Sequence, residues 1–384
     1  MCIIGGALQG MEAVLLSKRA GFETTVIDRQ ATAPAASLAD TFVHCDILAD
    51  DGLARRTMSD CDAVLPAFEE LDGLRMLDRT VPGLGKPLLF DMHAYEVSCS
   101  KEESNRIMAG LDVPMPEPWP GCGFPVVVKP SSQSGSVGVS VAHDEDRRLK
   151  AVEAVRRLGD TPVQQEFVSG KSVSIEVIGD GEGSRAFVTT EVVLDRDYDC
   201  KQVVCEPGIL DEAEQAEFES IGTRIADGIG LTALMDVEAI RTRKGLRVLE
   251  IDARIPSQTP AAVEAATGVN LVEELVLSAS GKETSRTPAA GCSVYEHYVA
   301  GHGRLSTCGE KEFGRLRTPR IHEGLFGADT VITDYLPGKA EWRATVINAG
   351  KTSSEVLRKR KAFIERAMRE CDLFEYTDRS PEAV

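Results

Sequence analysis

The segment that decides the fold is MDVEAIRTRKGLRVLEIDARIPSQTP, residues 235–260. Its two runs rich in Val, Ile and Leu are separated by a short polar stretch, a pattern that predicts two antiparallel strands joined by a turn. Glu238 lies on the first strand. Because alternate residues of a strand face the same side, Glu250, Asp252 and Arg254 of the second strand are predicted to point together. The hairpin therefore gathers three carboxylates and an arginine on one surface.

Carboxylates that converge in this way need a cation. Oxygen ligands that also bridge phosphates are typical of Mg²⁺ sites, so we predict Glu238, Glu250 and Asp252 as metal ligands. The alternative is a solvated sheet face whose strands are linked by ion pairs. The apolar character of the rest of the second strand argues against that alternative, and so does the lack of any obvious cation for Asp252 except Arg254.

A possible phosphate-binding loop lies upstream, where residues 126–141 read VVVKPSSQSGSVGVSV. Lys129 ends a β-branched strand, and a Ser/Gly loop leads into the next strand. Backbone N–H groups of such a loop can hold phosphate oxygens, glycine permits close approach, and the lysine neutralises charge. The GxxxxGKS/T pattern of Walker loops is absent. A flexible hairpin tip is the alternative interpretation of this segment.

A third candidate segment, residues 164–181, reads QQEFVSGKSVSIEVIGDG. The backbone of residues 165–168 could line an adenine slot, with Glu166 or Glu176 near polar groups of the ligand. Taken alone, the segment is better interpreted as an ordinary β-hairpin.

Residues 2–28 have the order strand, Gly-rich turn, helix, strand and acid, which indicates a βαβ unit. The turn GGALQG, residues 5–10, differs from GxGxxG, so a nicotinamide-dependent oxidoreductase is only a distant alternative. The helix N-terminus after the turn could hold an anion such as a substrate carboxylate. Asp28, at the end of the second strand, is a candidate cofactor contact.

The domain organisation follows from a change of pattern along the chain. Strands alternate with helices over residues 1–96, which predicts a small α/β domain with a parallel sheet. A helix is predicted over 101–110, and the five prolines of 113–125 exclude a long helix or a central strand there. A mostly antiparallel domain then covers 97–285, and a β-rich domain ending in a charged helix covers 286–384.

Composition excludes several classes of function. Asp plus Glu number 61 against 43 Lys plus Arg, a net charge of −18, whereas a nucleic-acid-binding face is normally basic. No run approaches the roughly 20 apolar residues of a membrane span, and no signal peptide is evident, so we expect a cytoplasmic protein without a membrane partner. The ten cysteines form no CxxC pair and are typical of buried small hydrophobic residues. No GxSxG motif indicates a serine hydrolase.

Taken in order, these segments resemble the ATP-grasp superfamily, which clamps ATP between two sheets of a central domain. The resemblance implies ATP and Mg²⁺ as cofactors and a combined α/β and α+β fold: an N-terminal Rossmann-like pre-ATP-grasp domain, the ATP-grasp domain and a small C-terminal β-rich domain. It implies that Lys129 and Arg254 are catalytic and that the three hairpin acids hold the metal. The nucleotide-binding positions that it implies are Lys101, Lys129, Ser134, Ser136, Gly138, Glu166, Phe167 and Val168.

A closer resemblance, from residue 2 to about residue 300, is to the 3-methylornithine–lysine ligases of pyrrolysine biosynthesis. It is carried by the first turn and helix, by the SVG loop, by YDC at 198–200 and above all by the 235–260 block. It implies that ATP phosphorylates the carboxylate of 3-methyl-D-ornithine and that the ε-amine of L-lysine attacks the acyl phosphate, giving an isopeptide, ADP and phosphate. Ala7 departs from the family pattern, which has Lys there.

The two implied substrates are diamino acids, so their ammonium groups need acids in addition to the metal ligands. We hypothesise that Asp236, which shares a strand face with Glu238, and Glu176 hold the ornithine ammonium groups. Glu69 and the turn at residues 5–9 would hold lysine. The predicted substrate contacts are Leu8, Gln9, Glu69, Glu176, Asp199, Asp236, Arg254 and Ser257. The resemblance is also compatible with a homodimer.

Two other functions stay open at this point. The first is another ATP-grasp carboxylate–amine ligase that acts on different amino acids, against which the PSQTP and YDC motifs argue. The second is a non-catalytic nucleotide-binding subunit, which would bind ATP without releasing ADP. The complete set of acids together with Arg254 argues against such a subunit.

Overall fold

The computed structural model describes residues 1–135, 137–282 and 289–380. The N-terminal region is a parallel sheet in the order β3–β2–β1–β4, covered by helices, as the alternating pattern predicts. Its elements are β1 (Cys2–Ile4), α1 (Leu8–Arg19), β2 (Thr25–Asp28), β3 (Thr41–His44), α2 (Asp51–Ser59), β4 (Val64–Pro66), α3 (Leu71–Thr80) and α4 (Met92–Ser98).

The alternating pattern of residues 1–96 also predicts a strand at KPLLFD, residues 86–91, but this segment is not a strand in the structure. Leu88 forms only an isolated parallel bridge with Val64, although Val64 N–H donates to the Pro87 carbonyl at 3.0 Å and Leu89 N–H to the Val64 carbonyl at 2.8 Å. Proline has no N–H to extend the ladder. Asp91 then begins α4, because its side chain accepts the Ala94 N–H at 2.9 Å. The last residue of the segment, Asp91, therefore caps the N-terminus of α4.

A small antiparallel sheet in the order β6–β5–β7 follows the proline-rich stretch. Asp144 begins its covering helix, since the side chain accepts the Arg147 N–H at 2.8 Å. Val126 and Val128 are buried against Val155 of that helix, which fixes the sheet on one side. The elements of this region are α5 (Lys101–Gly110), β5 (Val126–Pro130), β6 (Ser140–Ala142), α6 (Glu145–Arg157) and β7 (Pro162–Glu166).

The large sheet has the antiparallel order β13–β12–β8–β10–β11–β14–β18–β17–β16. Its first part contains β8 (Lys171–Gly179), β9 (Ser184–Ala186), β10 (Thr190–Leu194), β11 (Cys200–Cys205), α7 (Glu212–Ile229), β12 (Leu234–Thr242), β13 (Gly245–Asp252), α8 (Thr259–Thr267) and α9 (Leu271–Ala279). The β12–β13 hairpin predicted from sequence forms, with Glu238 opposite Glu250 and a register shift after Glu238. Glycine at Gly230 ends α7 in the left-handed conformation at φ 65°.

The strands after residue 289 continue this same sheet, because β14 pairs with β11. The elements are β14 (Cys292–Gly301), β15 (Arg304–Thr307), α10 (Glu310–Phe313), β16 (Arg320–Glu323), β17 (Thr330–Thr333), β18 (Trp342–Gly350), α11 (Ser353–Glu370) and β19 (Glu375–Thr377). The predicted boundary between 285 and 286 lies outside the described residues. No helix of the described chain is long and apolar enough to cross a membrane.

The terminal helix α11, predicted from sequence as a charged helix, is amphipathic, and its apolar face packs on the sheet. Val356, Phe363 and Ala367 are buried. Arg360 from the same helix reaches Glu296 on β14, with both N–O distances at 2.7 Å, and Glu296 is only 1% exposed. This buried ion pair attaches the helix to the sheet.

We expect Arg360→Met to lower the free energy of unfolding by about 3 kcal/mol, because it leaves the Glu296 carboxylate buried without its cation. Urea unfolding measures this change. The matched control is Lys361→Met on the exposed face of α11, where loss of the ion pair with Glu365 should change the free energy by less than about 0.5 kcal/mol. Equal effects of the two substitutions would contradict the assignment.

Candidate active site

A cleft of about 630 Å³ lies between the small sheet and the β12–β13 edge of the large sheet. Lys101 and Lys129 enter it from the small-sheet side. Glu238, Glu250 and Asp252 line its other wall together with Arg254. Two sheets thus face one another across a volume large enough for a nucleotide and a small substrate.

The three predicted metal ligands do converge. One carboxylate oxygen from each of Glu238, Glu250 and Asp252 lies within 4.8 Å of the others. Burial, and next the neighbouring Glu250, raises the pKa of the Glu238 carboxyl well above its usual range. Burial likewise raises the pKa of Asp252. A set of half-buried oxygen donors whose charges repel one another fits a hard divalent cation such as Mg²⁺.

The two predicted lysines meet at Glu250. Lys101 Nζ lies 3.1 Å and Lys129 Nζ 3.9 Å from a Glu250 oxygen, and Lys129 also donates to the Leu249 carbonyl at 3.2 Å. Burial lowers the pKa of Lys129. Burial opposes ionisation of Lys101 as well, but Glu250 outweighs it, so the pKa of Lys101 is raised. In Glu250 itself, burial is outweighed by Lys129 and Lys101, so its pKa is lowered and the carboxylate stays ionised.

Arg254 lies at the junction of three regions of the chain. Its Nε donates to Glu69 of the N-terminal region at 2.9 Å, and its NH2 nitrogen lies 3.3 Å from Asp252. Glu69 also accepts from Gln9 at 2.9 Å and from Ser134 of the Ser/Gly loop at 2.8 Å. Burial raises the pKa of Glu69, but Arg254, Ser134 and Gln9 together outweigh it, so the net pKa is lowered. Glu69 therefore contacts the first turn, with which it was predicted to hold lysine, and it also contacts Arg254, which was not predicted.

The Ser/Gly loop closes the cleft near Lys129. Gly138 has φ 72°, and a Cβ there would lie 2.8 Å from the Pro130 ring, so this position requires glycine. The N–H groups of Ser131 and Ser132 both donate to Asp160, at 3.1 Å and 3.3 Å. The first amides of the loop are thus already bonded within the protein. Ser136, predicted to bind nucleotide, lies outside the described residues.

The predicted adenine-binding strand edge also lines the cleft, with Glu166, Phe167 and Val168 on its wall. Two of its N–H groups are occupied, however. The Glu166 N–H donates to the Glu117 carbonyl at 2.8 Å, and the Phe167 N–H donates to the Pro125 carbonyl at 3.2 Å. These two donors are therefore not free to recognise a base.

Asp236 and Glu176 form a buried acidic pair next to the metal ligands. They lie opposite one another on β12 and β8, and Ser174 donates a hydrogen bond to Asp236. Glu176 is fully buried, and among the described residues neither of its carboxylate oxygens nor the nearby Thr259 hydroxyl has a hydrogen-bond partner. Burial raises the pKa of Glu176 to about 7, and burial followed by Glu176 raises the pKa of Asp236. Such a pair is stabilised by a proton or a cation.

Glu310 lines the cleft and was missed by sequence reasoning. It accepts from the predicted substrate contact Ser257 at 2.8 Å, and burial raises its pKa. Asp199, which also lines the cleft, accepts the Lys311 N–H at 2.9 Å. Glu310 follows a turn far along the chain and belongs to no motif, so only the tertiary structure reveals it.

Among the predicted contacts that do not line the cleft, Asp28 and Leu8 need correction. Asp28 accepts the N–H groups of Gly6 and Gln30, each at 2.6 Å, and does not line the cleft. It therefore stabilises the first turn, and a cofactor contact is not what its geometry offers. Leu8 begins α1 and its side chain is buried in the hydrophobic core, which leaves Gln9 as the turn residue that reaches the site through Glu69.

Comparison with known proteins agrees with this geometry. Residues 100–258 match the family model described as an ATP-grasp domain. The chain is 37% identical to the 3-methyl-D-ornithine–L-lysine ligase of Methanosarcina acetivorans over 81% of this chain and 83% of that protein. The corresponding ligase of Methanosarcina mazei is also 37% identical, over 81% of each chain.

Solved structures show the same fold. One is the biotin carboxylase domain of Hydrogenobacter thermophilus 2-oxoglutarate carboxylase, a dimer with MgADP and bicarbonate, with a TM-score of 0.73 and 16% identity over 95% of this chain and 89% of that one. Another is an ADP complex of an N5-carboxyaminoimidazole ribonucleotide synthetase, with a TM-score of 0.70 and 17% identity over 96% and 97% of the two chains. The predicted ATP-grasp fold is confirmed.

Proposed function

The chain belongs to the family of 3-methyl-D-ornithine–L-lysine ligases within the ATP-grasp enzymes, and from this premise we propose how its cleft joins the two amino acids. It is an ATP- and Mg²⁺-dependent carboxylate–amine ligase of pyrrolysine biosynthesis. ATP transfers its γ-phosphoryl group to the carboxylate of 3-methyl-D-ornithine and leaves as ADP. The ε-amine of L-lysine then displaces phosphate and forms the isopeptide bond.

The observation that carries this assignment is the convergence of Glu238, Glu250 and Asp252 opposite two lysines, with Arg254 beside them. A substrate carboxylate and a triphosphate repel one another, so the reaction depends on screening both charges. Bound Mg²⁺ would neutralise phosphate charge and hold the transferred group in line with the attacking oxygen. The three acids are the residues that would hold it.

The cations of the cleft have separate roles in this proposal. Lys129 and Lys101, now paired with Glu250, would move to phosphate oxygens when the nucleotide binds. Arg254 stays cationic, because Asp252 and Glu69 outweigh the cost of its burial and raise its pKa. Its planar guanidinium group suits the equatorial oxygens of a transferring phosphoryl group. Its bond to Glu69 holds it in place for that contact.

Asp236 and Glu176 are proposed to hold the ammonium groups of the ornithine. Both are buried, they repel one another, and Glu176 has no partner among the described residues. A diamino acid would supply the missing positive charge in place of a proton. The reacting carboxylate would then lie toward the metal, because Asp236 is two strand positions from Glu238.

The lysine substrate is proposed to bind on the other side of Arg254. Asp199 and Glu310 line that end of the cleft, and the Glu69 carboxylate lies against Arg254. An incoming lysine carries two ammonium groups, so acids are the expected lining. Gln9 donates a hydrogen bond to Glu69. Any effect of Gln9 on the lysine carboxylate would therefore be indirect, through Glu69.

We expect Asp236→Asn to raise the KM for 3-methyl-D-ornithine by about 10-fold or more, because it removes a charged partner of a buried ammonium group. The KM values for ATP and L-lysine should change little. Steady-state ADP release measures all three constants. Asp62→Asn, on an exposed surface, is the matched control. An unchanged ornithine KM in Asp236→Asn would show that this carboxylate does not bind the ornithine.

The substrate assignment is tested with a panel of amino-acid pairs and measurement of ADP release. The highest kcat/KM is expected with 3-methyl-D-ornithine and L-lysine, and no release is expected when either is left out. D-ornithine, which lacks one methyl group, should lose no more than about 200-fold. A higher kcat/KM with an unrelated pair of amino acids would show that the protein is a ligase but that its substrates are different from those proposed.

A further inference from the structure

A strained turn borders the cleft just after Arg254. Gln258 has φ 84° and ψ −60°, and the Thr259 N–H donates to the Ser257 carbonyl at 3.1 Å. These values describe a γ-turn with positive φ at its central residue, a rare and strained conformation for a residue with a side chain. Ser257, Gln258 and Thr259 all line the cleft. Strain of this kind persists only where the surroundings enforce it, and it concentrates at functional sites.

The residue that enforces the turn comes from a distant part of the chain. Glu12, in the middle of α1, is only 2% exposed and accepts the backbone N–H of Gln258. Tyr295 on β14 donates its hydroxyl to the other Glu12 oxygen. Burial raises the pKa of Glu12 to about 8. The oxygen that faces Gln258 accepts its N–H whether or not the other oxygen carries a proton.

The Gln258 side chain is held as well. Its Nε2 lies 2.9 Å from His297 Nε2, and His297 Nδ1 lies 2.8 Å from the Thr345 hydroxyl. The imidazole is stacked on Phe313 at 4.2 Å between ring centroids. Burial lowers the pKa of His297 to about 3, so the ring is neutral and offers one donor and one acceptor. Glu12 thus holds the backbone of Gln258, and His297 holds its side chain.

The turn determines where neighbouring groups point. Ser257, which immediately precedes Gln258, donates to Glu310 across the cleft. Thr259 begins α8 and faces the unpartnered Glu176. If Gln258 relaxed to negative φ, the peptide groups on both sides would rotate, and these hydroxyls would leave their places. Glu12 on α1 is therefore bonded to the residue on which the positions of these two hydroxyls depend.

We propose that Glu12 is a positioning residue of the ligase: it holds the Ser257–Thr259 γ-turn in its strained form and so places Ser257 and Thr259 in the substrate end of the cleft. The kinetic part of this inference rests on the proposed function. The structural part does not, because the conformation of the turn can be measured without substrates.

The test compares Glu12→Met, which keeps a straight side chain without an acceptor, with Glu12→Gln, which keeps an acceptor oxygen. Glu12→Met should lower kcat/KM for the amino acids by about 10-fold or more and leave the KM for ATP unchanged, and Glu12→Gln should recover most of that loss. A Glu12→Gln variant as impaired as Glu12→Met, with the same Tm, would overturn the proposal.

A second variant separates positioning from general damage to the fold. Glycine adopts positive φ without strain, so in a Gln258→Gly background the effect of Glu12→Met on kcat/KM should shrink at least about fivefold. An undiminished effect would contradict the role of strain.

A crystal structure of Glu12→Met gives a readout that is independent of activity. Gln258 is expected at negative φ, and φ near 84° would overturn the proposal even in an active enzyme. Absence of ADP release from the unmutated protein, with Gln258 relaxed in Glu12→Met, would instead sink only the proposed function.

Discussion

We expect replacement of Arg254 by Met to lower kcat by about 10³-fold or more and to leave the KM for ATP within a few-fold of the unmutated value. An arginine that contacts a phosphoryl group during transfer contributes on this scale. Arg254 is buried between Asp252 and Glu69, and both keep it charged and oriented toward the cleft. Because the guanidinium group acts on charge that develops during transfer, the loss falls on kcat and not on nucleotide binding.

Two controls accompany this substitution. Arg247 lies on β13, the strand that ends two residues before Arg254, and it does not line the cleft, so Arg247→Met should leave kcat within about twofold. Arg254→Lys keeps the positive charge but lacks the planar guanidinium group, so its kcat should recover only part of the loss seen in Arg254→Met. A near-normal kcat in Arg254→Met would show that Arg254 is not a catalytic residue.

Glu250→Gln is expected to lower kcat by at least about 100-fold, and added Mg²⁺ should not restore it. Glu250 contributes to the carboxylate cluster and also holds both cleft lysines, so its loss affects the metal and the phosphate contacts together. Neighbouring cations keep its pKa low, so it is ionised over the working pH range and available as a ligand.

The measurement is ADP release at increasing Mg²⁺ concentration. In the unmutated enzyme activity should saturate, whereas in Glu250→Gln the half-saturating concentration should rise and the plateau should stay low. Glu217→Gln, on the exposed face of α7, should match the unmutated enzyme. A Glu250→Gln enzyme that reaches the normal plateau would show that Glu250 is not needed as a ligand.

The parts of the site that sequence could predict are those carried by local periodicity. Strand alternation places Glu250, Asp252 and Arg254 on one face, and the structure brings the first two together with Glu238. A helix signal of the same local kind predicts α5 over 101–110, which are its observed bounds. Each of these depends on residues within a few positions of one another.

The parts that sequence missed depend on contacts across the chain. Glu310 reaches the cleft because β14 and β15 carry it there, and Glu12 meets Gln258 across 246 residues. Asp28 fits the position of a nucleotide-binding acid in a βαβ unit, yet its oxygens are used by the backbone of the first turn. Leu8 follows that turn as the first residue of α1, and its side chain is buried in the hydrophobic core. The periodicity of a sequence carries no information about contacts between residues so far apart in the chain.

The measurement that tests the central claim most directly uses 3-methyl-D-ornithine labelled with ¹⁸O in its carboxyl group, together with ATP, Mg²⁺ and L-lysine. Phosphate and product are analysed by mass spectrometry. The predicted result is one ¹⁸O atom in phosphate for every ADP released. The product mass should equal the sum of the two amino acids less one molecule of labelled water. Release of unlabelled phosphate, or labelled phosphate without the joined product, would contradict ligation through an acyl phosphate in this cleft.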